Sequence, residues 1–122
     1  MRSTTLWTLG IGLAALLIGA SLTSAETKGD PATGKKTYDI YCVTCHGPVG
    51  DGQGPVGKTL QPPPRDFTKG DFKFGGADQE IFDIISNGAA IKGGSPLMAP
   101  WGAVIPEADR WGLVAYIRTL KK

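Results

Sequence analysis

The two cysteines and the single histidine of this chain lie within five residues, in the segment CVTCH that ends at His46. If the segment is helical, Cys42, Cys45 and His46 sit at offsets of 0, +3 and +4 and share one face of the helix. A flat cofactor lying against that face could be bonded by both sulfurs and ligated by the imidazole. The spacing therefore indicates a covalently attached, metal-containing group.

Cys-x-x-Cys-His is the attachment signature of c-type haem, in which two thioether bonds hold the porphyrin and the histidine ligates the iron. Three other kinds of site use cysteine pairs. A zinc site usually takes four ligands in two separated pairs, and this chain offers one cluster. A disulfide would close a very short loop, which removes little entropy, and would leave His46 unused. A thioredoxin-like redox pair needs a βαβ context. The pattern favours one covalently attached haem c.

The first 25 residues have the pattern of a secretory signal peptide. Arg2 is their only charged side chain, an apolar segment spans residues 9–20, and small residues occupy the cleavage positions before Glu26. We therefore predict that residues 1–25 are removed and that residues 26–122 form one domain in the periplasm. The alternative is an uncleaved membrane anchor, because the uncharged stretch is nearly long enough to span a bilayer.

The composition limits the class of partner. Without residues 1–25 the chain carries 12 basic and 11 acidic side chains, a formal charge of +1, which excludes the strongly basic balance of a nucleic-acid-binding protein. The full chain has 18 glycines and 9 prolines, so much of the domain must be loop. A small, loop-rich domain buries a modest core and usually needs additional stabilisation from a disulfide, a metal or a cofactor. A covalently attached haem would provide it.

Three segments have helical patterns and predict a mainly α fold. The first covers residues 31–45, with Asp30 as its N-cap. The second, residues 78–88, has an isoleucine stripe, and the third, residues 106–120, has an apolar stripe with basic residues near its end. No segment alternates clearly enough to predict a strand.

Two segments rich in glycine and proline, residues 47–76 and 89–105, connect the predicted helices. Connections of this length without structure of their own are unusual in a compact domain. They become reasonable if they wrap a cofactor rather than protein.

Residues 30–120 resemble the class I, mono-haem cytochromes c of the bacterial type. Gly34 and Tyr38 lie eight and four residues before the first cysteine, where that family has a small residue and an aromatic residue on its first helix. Leu113 and Tyr116 occupy the positions on the last helix that pack against them. The resemblance implies a small all-helical fold, with three main helices and long loops wrapped around one covalent haem.

The resemblance also implies both axial ligands of the haem iron. His46 is the proximal ligand, and no second histidine exists to take the other position. From the residues alone, the sixth ligand is a methionine, a lysine, water or nothing, and a lone methionine is ordinarily a core gap-filler. Met98 lies in the proline-flanked segment SPLMAPW, where the family carries its methionine ligand. Lys92 is the alternative, although its amine must first lose a proton.

Three further residues are assigned to the haem pocket. In the family a Gly-Pro after the haem motif supplies a carbonyl to the proximal histidine, and the matching residue is Pro55. Arg65 either pairs with a haem propionate, since a guanidinium forks onto a carboxylate, or is a solvated loop residue. Trp101 is expected to form a wall of the pocket.

An iron with two protein ligands has no open position for substrate or gas, and methionine ligation raises its potential. The expected function is therefore not enzymatic: an exported electron carrier between donor and acceptor proteins in respiration or another periplasmic pathway. We expect a monomer that binds no nucleic acid and meets the membrane only through its partners or an uncleaved anchor. The alternative is a haem enzyme or gas sensor in which Met98 leaves or never binds the iron.

Overall fold

The computed structural model describes residues 28–122, so the predicted signal peptide lies outside the described residues. This part of the chain has four α-helices: α1 (Pro31–Tyr41), α2 (Val43–His46), α3 (Asp78–Asn87) and α4 (Glu107–Thr119). Three short 3₁₀-helices lie in the connections, at Gly57–Thr59, Phe67–Lys69 and Ala89–Lys92. Residues 28–122 contain no β-strand, and their one isolated bridge joins Lys73 to Gly75. The mainly α prediction is confirmed.

The first predicted helix is divided at Cys42. Asp30 caps it as expected, because its carboxylate accepts hydrogen bonds from two backbone N–H groups of the first turn, at 3.2 and 2.9 Å. Cys42, with φ −112° and ψ −31°, then separates α1 from α2, so the prediction of one continuous helix to Cys45 was wrong. The His46 N–H still donates to the Cys42 carbonyl at 2.8 Å, and the motif keeps its helical spacing.

The first and last helices cross in direct backbone contact. A methyl group added to Gly34 of α1 would overlap the carbonyl oxygen of Gly112 in α4. Beside this contact Tyr38 and Leu113 are fully buried, and the rings of Tyr38 and Tyr116 meet edge to face with centroids 5.1 Å apart. The predicted packing of the first helix against the last is confirmed.

The third helix packs against α4 through its apolar side. Ile81 and Ile85 are each 6% exposed, and Phe82 stacks on Trp111 of α4 with ring centroids 4.1 Å apart. These contacts complete a small core. Its buried apolar side chains are Tyr38, Phe67, Ile81, Ile85, Ala89, Ile105, Leu113, Val114, Ala115 and Ile117.

The two long connections are hydrogen-bonded to the helices at defined points. The N–H of Val56, after α2, donates to the Thr44 carbonyl within α2 at 3.0 Å, and the N–H of Trp101 donates to the Ile85 carbonyl in α3 at 2.9 Å. These hydrogen bonds hold each connection against a helix. Within residues 28–122, no helix has the length and apolar character needed to cross a bilayer.

Replacing Gly34 by alanine should destabilise the haem-loaded protein by about 3 kcal/mol or more, because the added methyl group would meet backbone that cannot rotate away. Urea unfolding followed by circular dichroism measures the change. Gly76→Ala is the matched control, since nothing lies within 4 Å of its added methyl position. Equal stability of the two variants would contradict the close crossing.

Candidate haem-binding site

Cys42 and Cys45 are free thiols, and both are partly buried. Cys42 packs against the edge of the core. Burial, with a smaller contribution from Cys45, raises the pKa of the Cys42 thiol to about 12. The thiol is therefore protonated at neutral pH, whereas a redox-active pair relies on a stabilised thiolate. The environment of Cys42 therefore differs from that of a redox-active thiol, and both sulfurs are free to form thioether bonds.

The ring of His46 is oriented by the backbone. Its Nδ1 lies 3.2 Å from the carbonyl oxygen of Arg65. Because a carbonyl only accepts, Nδ1 carries the proton in this contact and donates it. Burial lowers the pKa of His46, and the hydrogen bond to Arg65 offsets that shift only in part. The imidazole is thus neutral at pH 7 with a lone pair on Nε2, which is the form that ligates a metal.

One side of the imidazole is covered by Phe67. The two rings are stacked, with centroids 4.5 Å apart and an interplanar angle of 16°, and Phe67 is only 8% exposed. The Phe67 N–H donates to the Gly50 carbonyl at 2.7 Å, which anchors the backbone that carries the ring. Neither Phe67 nor the Arg65 carbonyl was predicted from the sequence. The three prolines before Arg65 restrict the path of this loop, but no residue pattern marks which carbonyl or which ring reaches His46.

The structure differs from the prediction for Pro55. The residues on either side of Pro55 donate their N–H groups to carbonyls of α2, at 3.2 and 3.0 Å, and Pro55 itself is exposed between them. The segment around Pro55 is therefore hydrogen-bonded to the backbone of α2. The carbonyl at His46 Nδ1 belongs to Arg65 instead.

Arg65 contributes to the site through its backbone, while its side chain lies near the surface. The guanidinium is 3.7 Å from the carboxylate of Asp71, and 34% of the Arg65 side chain is exposed. An ion pair this long and this exposed holds the side chain weakly. Pairing of Arg65 with a haem propionate stays a prediction.

Met98 and Trp101 lie on a segment anchored to the end of α3. The Met98 carbonyl accepts the N–H of Ala89 at 3.1 Å, and Met98 is partly buried. The Trp101 ring meets the ring of Tyr41, with centroids 5.3 Å apart, directly before the first cysteine. The segment that carries Met98 therefore returns to the start of the haem motif, and the roles of Met98 and Trp101 at the haem stay predictions.

The residues brought together fit a covalently attached haem. Two free thiols and a neutral imidazole share one helical turn, and aromatic rings flank them on two elements. Among residues 28–122 no three or more side chains of His, Cys, Asp or Glu are arranged to hold a metal ion by themselves. The zinc alternative therefore has no support in this part of the chain.

Comparison with known proteins agrees with this site. Residues 29–117 match the family model described as cytochrome c oxidase, cbb3-type, subunit III. The chain belongs to the cytochrome c family. Cytochrome c-554(547) of Halothiobacillus neapolitanus is 34% identical to this cytochrome over 93 residues, which are 76% of this chain and 99% of that protein.

A second relative is longer than this cytochrome. The cbb3-type cytochrome c oxidase subunit FixP of Azorhizobium caulinodans is 31% identical over 100 residues, which are 80% of this chain. The match covers 30% of FixP, so this cytochrome spans less than a third of that protein.

Two solved structures share the fold. The KustC0563 c-type cytochrome superimposes with a TM-score of 0.59 at 27% identity, over 73% of this chain and 98% of that one. A chain of the Kuenenia stuttgartiensis reducing HAO-like protein complex Kustc0457/Kustc0458 gives a TM-score of 0.64 at 31% identity, over 77% and 44% of the two chains. This cytochrome carries covalently bound haem c and is an electron-transfer protein. Its single attachment motif fits the class I, mono-haem type.

Replacing Phe67 by serine should lower the reduction potential of this cytochrome by some tens of millivolts. Oxidised haem carries one more positive charge than reduced haem, and water admitted beside His46 stabilises the more highly charged form. Roughly 60 mV corresponds to a tenfold change in a one-electron equilibrium. Potentiometric titration measures the shift. Phe67→Leu is the control because it keeps an apolar cover, and equal potentials in both variants would show that Phe67 does not shield the ligand.

Proposed function

We propose that this cytochrome is an exported one-electron carrier with a single haem c, attached through Cys42 and Cys45 and ligated on both faces. The observation that carries the proposal is the state of His46. Its imidazole is neutral, is oriented by a backbone carbonyl at 3.2 Å, and directly follows a free thiol. When bound, the haem supplies an iron that changes oxidation state by one electron.

The proximal side of the site is built to hold one ligand geometry. The hydrogen bond from His46 Nδ1 fixes the tautomer and makes Nε2 a stronger donor. The stacked Phe67 ring fixes the plane of the imidazole and excludes water from that side. A ligand held in one orientation changes little when an electron arrives or leaves, which suits a carrier.

Met98 is proposed as the second axial ligand. Its segment is held through its backbone, at the carbonyl that accepts the Ala89 N–H, so the thioether itself is not needed for that anchoring. A soft thioether favours the reduced iron and raises the potential. Lys92, the alternative ligand, is exposed at the end of its 3₁₀-helix.

Ligation on both faces favours a carrier over a haem enzyme or gas sensor. A second histidine that could act as a distal acid or base is absent from the sequence. We therefore propose that the protein is not itself an enzyme, and that donor and acceptor proteins supply and remove its electrons.

The proposed partners are respiratory or other periplasmic redox proteins. Cytochromes of this kind are typically exported, and residues 1–25 have the pattern of a secretory signal. FixP is named as an oxidase subunit and matches this chain over 30% of its own length, so a respiratory assembly is the first place to look for a partner.

The described surface suits brief contacts. Exposed apolar side chains flank both parts of the site: Val56, 43% exposed, lies against α2, and Leu97, 60% exposed, precedes Met98. The formal charge of residues 26–122 is only +1, so long-range steering by net charge is weak. We propose a monomer that docks each partner through a small, mainly apolar interface, as transient electron-transfer pairs do.

Haem should remain with the polypeptide when the denatured protein is extracted with acidic organic solvent, because thioether bonds survive conditions that break iron–ligand bonds. The double variant Cys42→Ala/Cys45→Ala should lose the pigment and accumulate as poorly folded apoprotein. Haem staining of a denaturing gel reports both outcomes. Thr44→Ala, an exposed position inside the motif, is the control and should keep its haem. Pigment lost from the unaltered protein would overturn the covalent attachment.

Replacing Met98 by alanine should open one position of the iron. The oxidised variant should lose the sulfur-to-iron absorption band at the red end of the spectrum, and the reduced variant should bind carbon monoxide. Its potential should fall, because the thioether that favours the reduced state is gone. Absorption spectra with and without carbon monoxide test this, together with a redox titration.

Leu97→Ala is the control for that experiment, since it removes an exposed apolar side chain next to the proposed ligand. It should keep the band and should not bind carbon monoxide. An unchanged spectrum in Met98→Ala would return Met98 to a packing role and direct attention to Lys92. If the unaltered reduced protein itself bound carbon monoxide readily, the enzyme or sensor alternative would be favoured.

A further inference from the structure

Residues 98–102, called here the Met98 segment, are joined to the C-terminal end of α3 by three backbone hydrogen bonds. The N–H of Ala89 donates to the Met98 carbonyl at 3.1 Å. The N–H groups of Trp101 and Gly102 donate to two carbonyls in the last turn of α3, each at 2.9 Å. These carbonyls have no partner within the helix, so the segment completes the end of α3. The position of Met98 therefore follows the position of that helix end.

Gly88 brings this segment close to the helix. Its φ of +81° is in the region that favours glycine, and a methyl group there would lie 2.9 Å from the Met98 carbonyl oxygen and 3.2 Å from the Pro100 nitrogen. The segment is in direct contact with the backbone at the helix end. A shift of the end of α3 is therefore transmitted to Met98.

Arg110 of α4 holds the same end of α3. Its Nη1 donates to the hydroxyl oxygen of Ser86. That hydroxyl donates its own proton to the Phe82 carbonyl at 2.7 Å, so its oxygen is free to accept. The guanidinium also lies over the Phe82 ring, 4.8 Å from the centroid. A positive charge at the carbonyl end of a helix is favourable, and Arg110 supplies one.

The one side-chain hydrogen bond described for the Arg110 guanidinium goes to α3. The Arg110 Nε is buried and has no hydrogen-bond partner among the described residues, and Ser86, which receives Nη1, is 9% exposed. Ser86 makes both contacts: its hydroxyl oxygen accepts a hydrogen bond from Arg110, and its backbone carbonyl accepts one from the Gly102 N–H. Ser86 therefore links Arg110 to the segment that carries Met98.

We propose that Arg110 is a positioning residue for Met98, acting through Ser86 and the end of α3. By fixing that end to α4, it keeps the thioether at the iron and limits the time for which the position is open. This inference rests on the proposed ligation by Met98.

A second arginine of α4 provides a matched control. Arg118 joins the same two helices at the other end of α3: its Nε donates to the Asp78 carboxylate at 2.7 Å, and its Nη2 donates to the Gly76 carbonyl. Its guanidinium lies over the Phe72 ring, 5.1 Å from the centroid. Arg118 therefore lies on the same helix as Arg110, has the same charge and makes the same types of contact. It differs in contacting the start of α3, away from the Met98 segment.

The test uses the full haem-loaded protein with the substitutions Arg110→Met, Ser86→Ala, Arg118→Met and Met98→Ala. Carbon monoxide titration of the reduced protein should show an apparent affinity about tenfold higher in the first two variants, because that affinity scales with the fraction of molecules whose iron is open. Their sulfur-to-iron band should weaken. Arg118→Met should lower the thermal midpoint without changing either signal, and Arg110→Lys, which keeps a donor, should restore part of the band.

Unaltered carbon monoxide affinity and band in both Arg110→Met and Ser86→Ala would overturn the role of Arg110. Equal changes in Arg118→Met would also overturn it, because the effect would then follow from lost stability in general. If Met98→Ala loses the band while the Arg110 variants keep it, only the positioning role fails; if Met98→Ala keeps the band, the ligation itself fails. Should Arg110→Met not accumulate with haem, Ser86→Ala removes the same contact with a smaller change and decides the question.

Discussion

The backbone contact between Gly34 and Gly112 sets the relative position of α1 and α4, and the haem motif depends on it. α1 leads within one residue into Cys42, so the crossing determines where the two thiols and the imidazole begin. From α4, Arg110 and Arg118 reach the two ends of α3. The end of α3 in turn carries the segment with the proposed second ligand. His46 and the segment with the proposed second ligand are therefore both positioned from one helix crossing.

The two long connections bury few apolar side chains of their own. They make up about half of the described chain, yet they contribute only Phe67, Ala89 and Ile105 to the buried apolar side chains. Several of their apolar side chains, including Ile91 and Leu97, are more than half exposed. Loop backbone of this kind is ordered by what it packs on, and a large flat apolar group supplies that surface.

Much of the fold could be predicted because it depends on side-chain types. The helix ends at Asp30 and Gly88, the isoleucine stripe of α3 and the tyrosine pair at the crossing all follow from residues with strong preferences. The division of the first helix at Cys42 could not be predicted, since no proline or glycine marks it. The motif residues Cys45 and His46 were identifiable because their chemistry is rare and their spacing specific.

The contacts that orient the ligands were harder to predict, because they are made by backbone groups that every residue carries. Pro55 was expected to supply the carbonyl at His46 on the strength of the family pattern. For Arg65 the sequence left two possibilities, a guanidinium paired with a haem propionate or a solvated loop residue, and neither involves its backbone. In the structure Arg65 acts through its carbonyl, and which carbonyl reaches the ring depends on the path of a long loop. The pairing of Arg110 with Ser86 spans 24 residues and has no signature in local sequence.

The single histidine has a consequence for how the haem-bearing chain folds. In an unfolded chain the imidazole is the strongest competitor for an iron position at neutral pH, because lysine amines are protonated there. Here the only imidazole is tethered beside Cys45 and stays with the haem whether or not the chain is folded. No distant histidine exists to capture the opposite face in a non-native loop. The search for the native arrangement therefore proceeds without the imidazole-bound traps that additional histidines would create.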